Sequence, residues 1–248
     1  VNLQRFMDTP LRNQNAFDLA TLGRYDYGSG LSFTGEAQLS REYESPLTGA
    51  INADVAVLSS YLRSFFTARG EYEHDRLRAQ LNVDRTSVAF SDIDLGTSIR
   101  DQSDRDRVVT RVGGQIEYAR TPSFSYYGRA TLGRIDYSRN TLLNGLPNRD
   151  SHSYRALAGV TFDIPGRFRG AVGAGVSHLD YDGRFYNNVT GLSVEGQIDY
   201  FLSELTTVGL VASRTIEDSN ISNSRAFFDN RLRLTVDHEL LRNLILSG

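Results

Sequence analysis

The chain has 248 residues, 40% hydrophobic and 23% charged, with a formal net charge of -3 and no cysteine. That balance leaves no basic footprint for nucleic acid, the missing thiols exclude disulfides and thiolate metal centres, and no window approaches the roughly 18 consecutive apolar residues of a membrane helix. The mean hydropathy of -0.36 does not exclude a membrane barrel, because a spanning strand needs apolar residues only at alternate positions over about 9–11 residues. All 27 basic residues are arginine, which codon usage in a GC-rich genome explains more simply than selection for guanidinium chemistry does.

Residues 1–15, "VNLQRFMDTPLRNQN", read as the tail of a loop, and strands fill 16–248 as one domain. Tight turns are expected at Gly28-Ser29-Gly30, Asp75-Arg76, Thr121-Pro122-Ser123, Pro165-Gly166-Arg167, Leu202-Ser203-Glu204 and Glu239-Leu240-Leu241. Longer polar segments near 45–54, 91–105, 138–151, 181–190 and 217–225 alternate with them. The spacing predicts twelve strands, the last cut short by "NLILSG". With no initial Met and an apolar end, the chain is expected to be part of a longer barrel with further strands.

Alternation assigns the faces, since successive side chains leave a strand on opposite sides. "GVTFDIPGRFRGAVGAGV" at 159–176 puts Val160, Phe162, Phe168, Gly170, Val172, Ala174 and Val176 on one side, and Thr161, Asp163, Arg169, Gly173 and Gly175 on the other. The same division gives an apolar set such as Leu31, Phe33, Ala37 and Leu39, and a polar set such as Glu36 and Gln38. Aromatics decide which solvent the apolar face meets. Tyr25, Tyr27, Tyr72, Tyr118, Phe124, Tyr126, Phe162, Phe168 and Tyr200 lie on it close to short turns, at one level, as an interfacial girdle does. A soluble core would hold them nearer mid-strand. The expected fold is therefore all-β: a transmembrane, antiparallel, up-and-down β-barrel of at least twelve strands, its apolar face on outer-membrane lipid and its interior polar. On such a surface Val172→Arg and Leu210→Arg should impair folding, while Gly173→Arg and Gly209→Arg, pointing inward, should be milder.

The stretches "FDIPGRFRGAVGAGVSHLDYDG" (162–183), "GLSVEGQIDYFLSELTTVGLVASRTIEDSN" (191–220) and "VDHELLRNLILSG" (236–248) together resemble the putative beta-barrel porin family 2. The resemblance runs from about Phe17 to the end. It implies an outer-membrane barrel of a Gram-negative bacterium, encoded near exopolysaccharide genes in many members, with no catalytic or ligand residues to carry over. It points to passage or export of a hydrophilic solute, with polysaccharide as the solute it favours.

A recurring pattern marks one mouth. "GRYDY", "GEYEH", "GQIEY" and "GQIDY" each close a strand, and with Asp163 and Asp237 they ring the short-turn end with Asp26, Glu73, Glu117, Asp163, Asp199 and Asp237. Such a ring either favours cations or is neutralised as a collar by the lining arginines, Arg69, Arg78, Arg111, Arg129, Arg155, Arg169, Arg231 and Arg233. Counting across the turns pairs Glu73 with Arg78 and Asp163 with Arg169, and leaves Asp26 and Asp199 without an opposed cation. The histidines His74, His152, His178 and His238 form no catalytic cluster in sequence, and no pair has metal-ligand spacing. "DIDLG" at 92–96 carries only part of a calcium-loop pattern. The chain is read as neither an enzyme nor a cofactor protein. Two other readings stay open: a closed barrel that docks an export partner through its long loops, and a barrel-borne hydrolase.

Overall fold

The computed structural model describes residues 2–5, 7, 13–44, 58–94, 98–217, 226–241 and 244–248. Alternating β-branched, aromatic and small residues make long strands. In chain order these are β1 (Asn2–Gln4), β2 (Gln14–Gly28), β3 (Leu31–Tyr43), β4 (Ser60–His74), β5 (Leu77–Phe90), β6 (Ile93–Asp94), β7 (Ile99–Arg100), β8 (Arg107–Thr121), β9 (Phe124–Tyr137), β10 (Ser151–Ile164), β11 (Phe168–Tyr181), β12 (Val189–Ser203), β13 (Thr206–Glu217), β14 (Phe227–Leu241) and β15 (Leu244–Ser247). β6 and β7 form a separate ribbon within one long connection, and the other thirteen form a single sheet in sequence order. Every pairing in that sheet is antiparallel. A strand of 14 residues extends about 46 Å, and tilted by about 40° it rises about 35 Å, enough to cross an apolar band of about 25 Å.

This is the expected all-β, up-and-down transmembrane barrel wall. Among the described residues β1 and β15 are its outer strands and do not pair with each other. Three details depart from the sequence-based reading. The segment 1–15 is not wholly loop, because Asn2–Gln4 pair with Gln14–Ala16 and so lengthen the sheet by a short strand. A bulge between Phe201 and Ser203 extends β12, which moves the expected turn at 202–204 on to Glu204-Leu205. β14 likewise continues through Leu241 past an irregularity at Glu239/Leu241, so 239–241, expected as a turn, belong to the strand, and 242–243 lie outside the described residues. The expected loop at 45–54, and most of that at 217–225, also lie outside them.

The polar face is concave. Arg129 of β9 and Glu195 of β12 are three strands apart, about 14 Å on a flat sheet, yet Arg129 donates to both Glu195 oxygens at 2.7 and 2.9 Å. Only the inside of a curved sheet brings them so close. The convex face carries exposed Tyr25, Phe33, Phe66, Leu81, Val112, Ile116, Leu132, Val194 and Leu234, as a lipid-facing surface should.

Packing concentrates at the long-loop end. Ile93, Leu142, Leu179, Tyr181 and Tyr186 are buried there, with Gln102, Asn148 and Arg149. The long connections interlock. Ser59 and Gln102 hydrogen-bond each other, the Asn148 amide donates to the carbonyls of Asp104 and Arg139, and the Tyr186 hydroxyl donates to the carbonyl of Pro147.

Candidate pore lining

On the concave face, the register aligns Tyr127, Gly159, Gly173 and Glu195 in one row across β9 to β12. The Tyr127 ring lies along that row over both glycines and donates its hydroxyl to Glu195 at 3.0 Å. A Cβ on Gly159 would stand 2.5 Å from the ring, and one on Gly173 would stand 2.2 Å from the hydroxyl. Those two glycines are the clearance that lets one tyrosine tie four strands together. Arg129 completes the group through Glu195 and by donating to Gln115 at 2.8 Å. Arg155 joins it, donating to Ser193 at 2.7 Å and to Glu195 at 3.3 Å. Gly173→Arg, expected to be mild, therefore meets a packed ring rather than open lumen. Gly209 is more forgiving, since its nearest neighbour is the end of the Thr235 side chain.

The acids at the short-turn mouth have unequal surroundings. Glu73 lies 3.2 Å from Arg78, which also reaches to 4.0 Å from Glu117, and Asp163 lies 3.3 Å from Arg169. Asp26, expected to lack a cation, is instead bound at 3.0 Å by Arg24 on its own strand. Counting residues across the turn missed it because the partner stands two positions back on the same face. Asp237 accepts from Ser247 at 2.6 Å. Asp199 has no ion pair among the described residues.

Higher on the wall, Arg69 is 3.8 Å from Glu71, Arg111 is 4.0 Å from Asp84 and Arg231 is 2.5 Å from Asp229. Arg233 has no ion pair among the described residues. The lining is thus a lattice of alternating charges. At partial exposure each pair is worth about 0–1 kcal/mol, so the lattice orders polar groups at a wet surface more than it stabilises the fold.

The loop-side mouth is narrowed by the wall itself. β13 pairs with β12 only as far as Arg214 opposite Val194, although both strands run on. Beyond that point Ile216 packs against the Leu179, Tyr181 and Tyr186 cluster. A Cβ on the inward-facing Gly191 would meet the Phe228 ring at 2.3 Å. The loop-side end of the β13–β14 hairpin has left the ladder and lies over the concave face of β11 and β12. Arg214 holds it, with its guanidinium 4.5 Å from the Phe228 ring centre and a hydrogen bond to Asn230 at 3.1 Å. Near this mouth, burial pushes the Asp106 carboxyl up from its ordinary range, against the lowering effect of the Phe90 N–H that it accepts at 2.7 Å.

The girdle residues stand near the short turns on the convex face. Phe168 stacks on Tyr200 with ring centres 4.9 Å apart, and Phe124 meets Tyr126 edge-on at 5.0 Å. Tyr25, Tyr27, Tyr72 and Tyr118 are exposed, and Phe162 is half-buried. The histidines are dispersed: His74 beside Asp75, His152 beside Asp182, His178 on Thr190 and His238 on Thr206. No group of three or more His, Cys, Asp or Glu suited to a metal ion occurs among the described residues.

The model of the family described as "Putative beta-barrel porin 2" matches residues 2–248. Two variant structures of the ferric enterobactin receptor from Pseudomonas aeruginosa share the fold. One has a TM-score of 0.51 and 12% identity over 94% of this chain and 41% of the receptor. The other has a TM-score of 0.52 and 11% identity over 99% of this chain and 44% of the receptor. The chain thus spans less than half the length of these receptors. No curated protein matches it.

Proposed function

Since the chain belongs to the Putative beta-barrel porin 2 family and has the wall of an outer-membrane barrel, we propose that it lines an aqueous passage for a hydrophilic solute across the outer membrane of a Gram-negative bacterium. The observation that carries this reading is the concave face. A barrel closed for structure alone fills its interior with packed side chains, as small barrels do, whereas here Arg24, Arg69, Arg78, Asp163 and Arg169 line the short-turn half and are at least half solvent-accessible. Paired guanidinium and carboxylate groups offer hydrogen bonds of both kinds to a polyhydroxylated chain without a strong net field. That suits a polysaccharide, the solute favoured by the likeness in 162–183 and 191–220.

The interlocked long connections support a second reading, a docking barrel, because they present an ordered surface to a partner. Planar-bilayer recording on the full-length protein separates the two. A passage gives stepwise conductance that falls when an oligosaccharide is added. A docking barrel gives a quiet bilayer whatever solute is present.

A further inference from the structure

On the convex face of β2–β5, one register row reads Gly23, Gly35, Ala68, Val83 and the row on its short-turn side reads Tyr25, Phe33, Gly70, Leu81. The small residues leave a groove of ≈530 Å³ between larger apolar neighbours. It is no packing defect of the sheet, since the strands stay in register through it. Its loop-side end is marked by charge: between the short turns and that level no Asp, Glu or Arg of β2–β5 lies on this face. Arg85 follows Val83 on the same side of β5, opposite Phe66 on one neighbour and Thr110 on the other, and Thr110 is opposite Arg134. Arg134 is bound by Asp136 at 2.7 Å, while Arg85 is exposed and has no ion pair among the described residues. From the short turn to Arg85 is about 27 Å along the strand, or about 20 Å of rise once tilted. Arg85 therefore stands near the upper limit of the apolar band, where hydrocarbon gives way to headgroups.

We propose that this groove, headed by Arg85 with Arg134 beside it, seats a phosphorylated multi-acyl glycolipid of the leaflet on the loop side. One acyl chain fills the trough of Gly23, Gly35 and Ala68, and a phosphate meets the guanidinium groups. A guanidinium without a protein counter-charge at that level gains most from an anionic headgroup, whose phosphate can bond it bidentately with no attached ammonium to offset the charge.

The test uses full-length protein in dodecyl maltoside and native mass spectrometry. The probes are hexa-acylated bisphosphoryl lipid A, the same lipid without its phosphates, and dioleoyl phosphatidylglycerol. Bisphosphoryl lipid A should bind the most tightly. Arg85→Gln/Arg134→Gln should weaken it roughly thirtyfold, as the loss of two cations at a lipid phosphate implies. Gly23→Leu should weaken it as well by filling the trough, and folds freely because a Cβ there meets nothing within 4 Å. Equal binding of the dephosphorylated lipid, equal binding of phosphatidylglycerol, or unchanged affinity in both variants would overturn the proposal. Binding in detergent is independent of conductance, so its failure leaves the passage reading standing, and a silent bilayer leaves the lipid seat standing.

Discussion

Tyr127 reaches Glu195 across two strands because Gly159 and Gly173 present no side chain to its ring. Replacing Gly173 by leucine should displace the ring, free Glu195 from its hydroxyl and loosen Arg129 and Arg155. Overpacking of this kind costs about 1–3 kcal/mol. The loss should appear as a lower urea midpoint, read by heat-modifiable electrophoretic mobility in lipid vesicles. Gly128→Leu on the convex face is the control, since a Cβ there meets nothing within 4 Å. Equal loss in both would show that the row is not specially packed. At the short-turn mouth Asp199 alone among Asp26, Glu73, Asp163 and Asp199 makes no ion pair with any described residue, because Arg169, its register partner on β11, turns to Asp163 instead. Asp199→Asn should therefore lower cation preference in reversal-potential measurements more than Asp26→Asn, Glu73→Gln or Asp163→Asn. Equal shifts from all four would show that pairing does not set their effective charge.

Hairpins are the elements of this fold, and most were legible from alternation and turn chemistry. Gly28-Ser29-Gly30, Asp75-Arg76 and Pro165-Gly166-Arg167 sit at the expected turns, five of these residues, Gly28, Ser29, Gly30, Asp75 and Gly166, with positive φ. Gly30 can be nothing larger, since its φ is +79° and a Cβ would stand 1.8 Å from the Glu73 carbonyl oxygen. The turn after β12 was misplaced because a bulge adds ladder without changing composition. β1 was missed because three residues are too few to show a period. The Tyr127 row was missed for another reason. Its signal was present, a tyrosine on the polar set with two inward glycines on neighbouring strands, but joining them needs the register, which periodicity does not give. The inward fold of the β13–β14 hairpin left no local signature at all, because it depends on where a ladder stops. Sidedness is tested at this scale, and the absence of native cysteine makes it clean. Cysteines at Asn144 and Asn187, both exposed, should react with a membrane-impermeant maleimide in intact cells, and those at Ser29 and Ser203 only after the outer membrane is opened. Asn148, in the same loop as Asn144, is 5% exposed and would report burial instead. The reverse pattern would invert the topology.

The whole molecule is an arc of barrel wall whose two faces meet different solvents, and passage and the lipid seat both depend on that division. Thirteen strands in sequence order, a concave lattice of paired charges and a convex face of exposed apolar residues give it three independent supports. Spin labels at Ala79, Gln80, Leu81, Asn82 and Val83 of β5, introduced one at a time into the full-length protein in lipid vesicles, test it most directly. Collision rates with oxygen, which concentrates in lipid, should be high at Ala79, Leu81 and Val83, and those with a water-soluble nickel chelate should be high at Gln80 and Asn82. Rates that fail to alternate, or that alternate with oxygen favouring Gln80 and Asn82, would contradict a wall with lipid outside and water within.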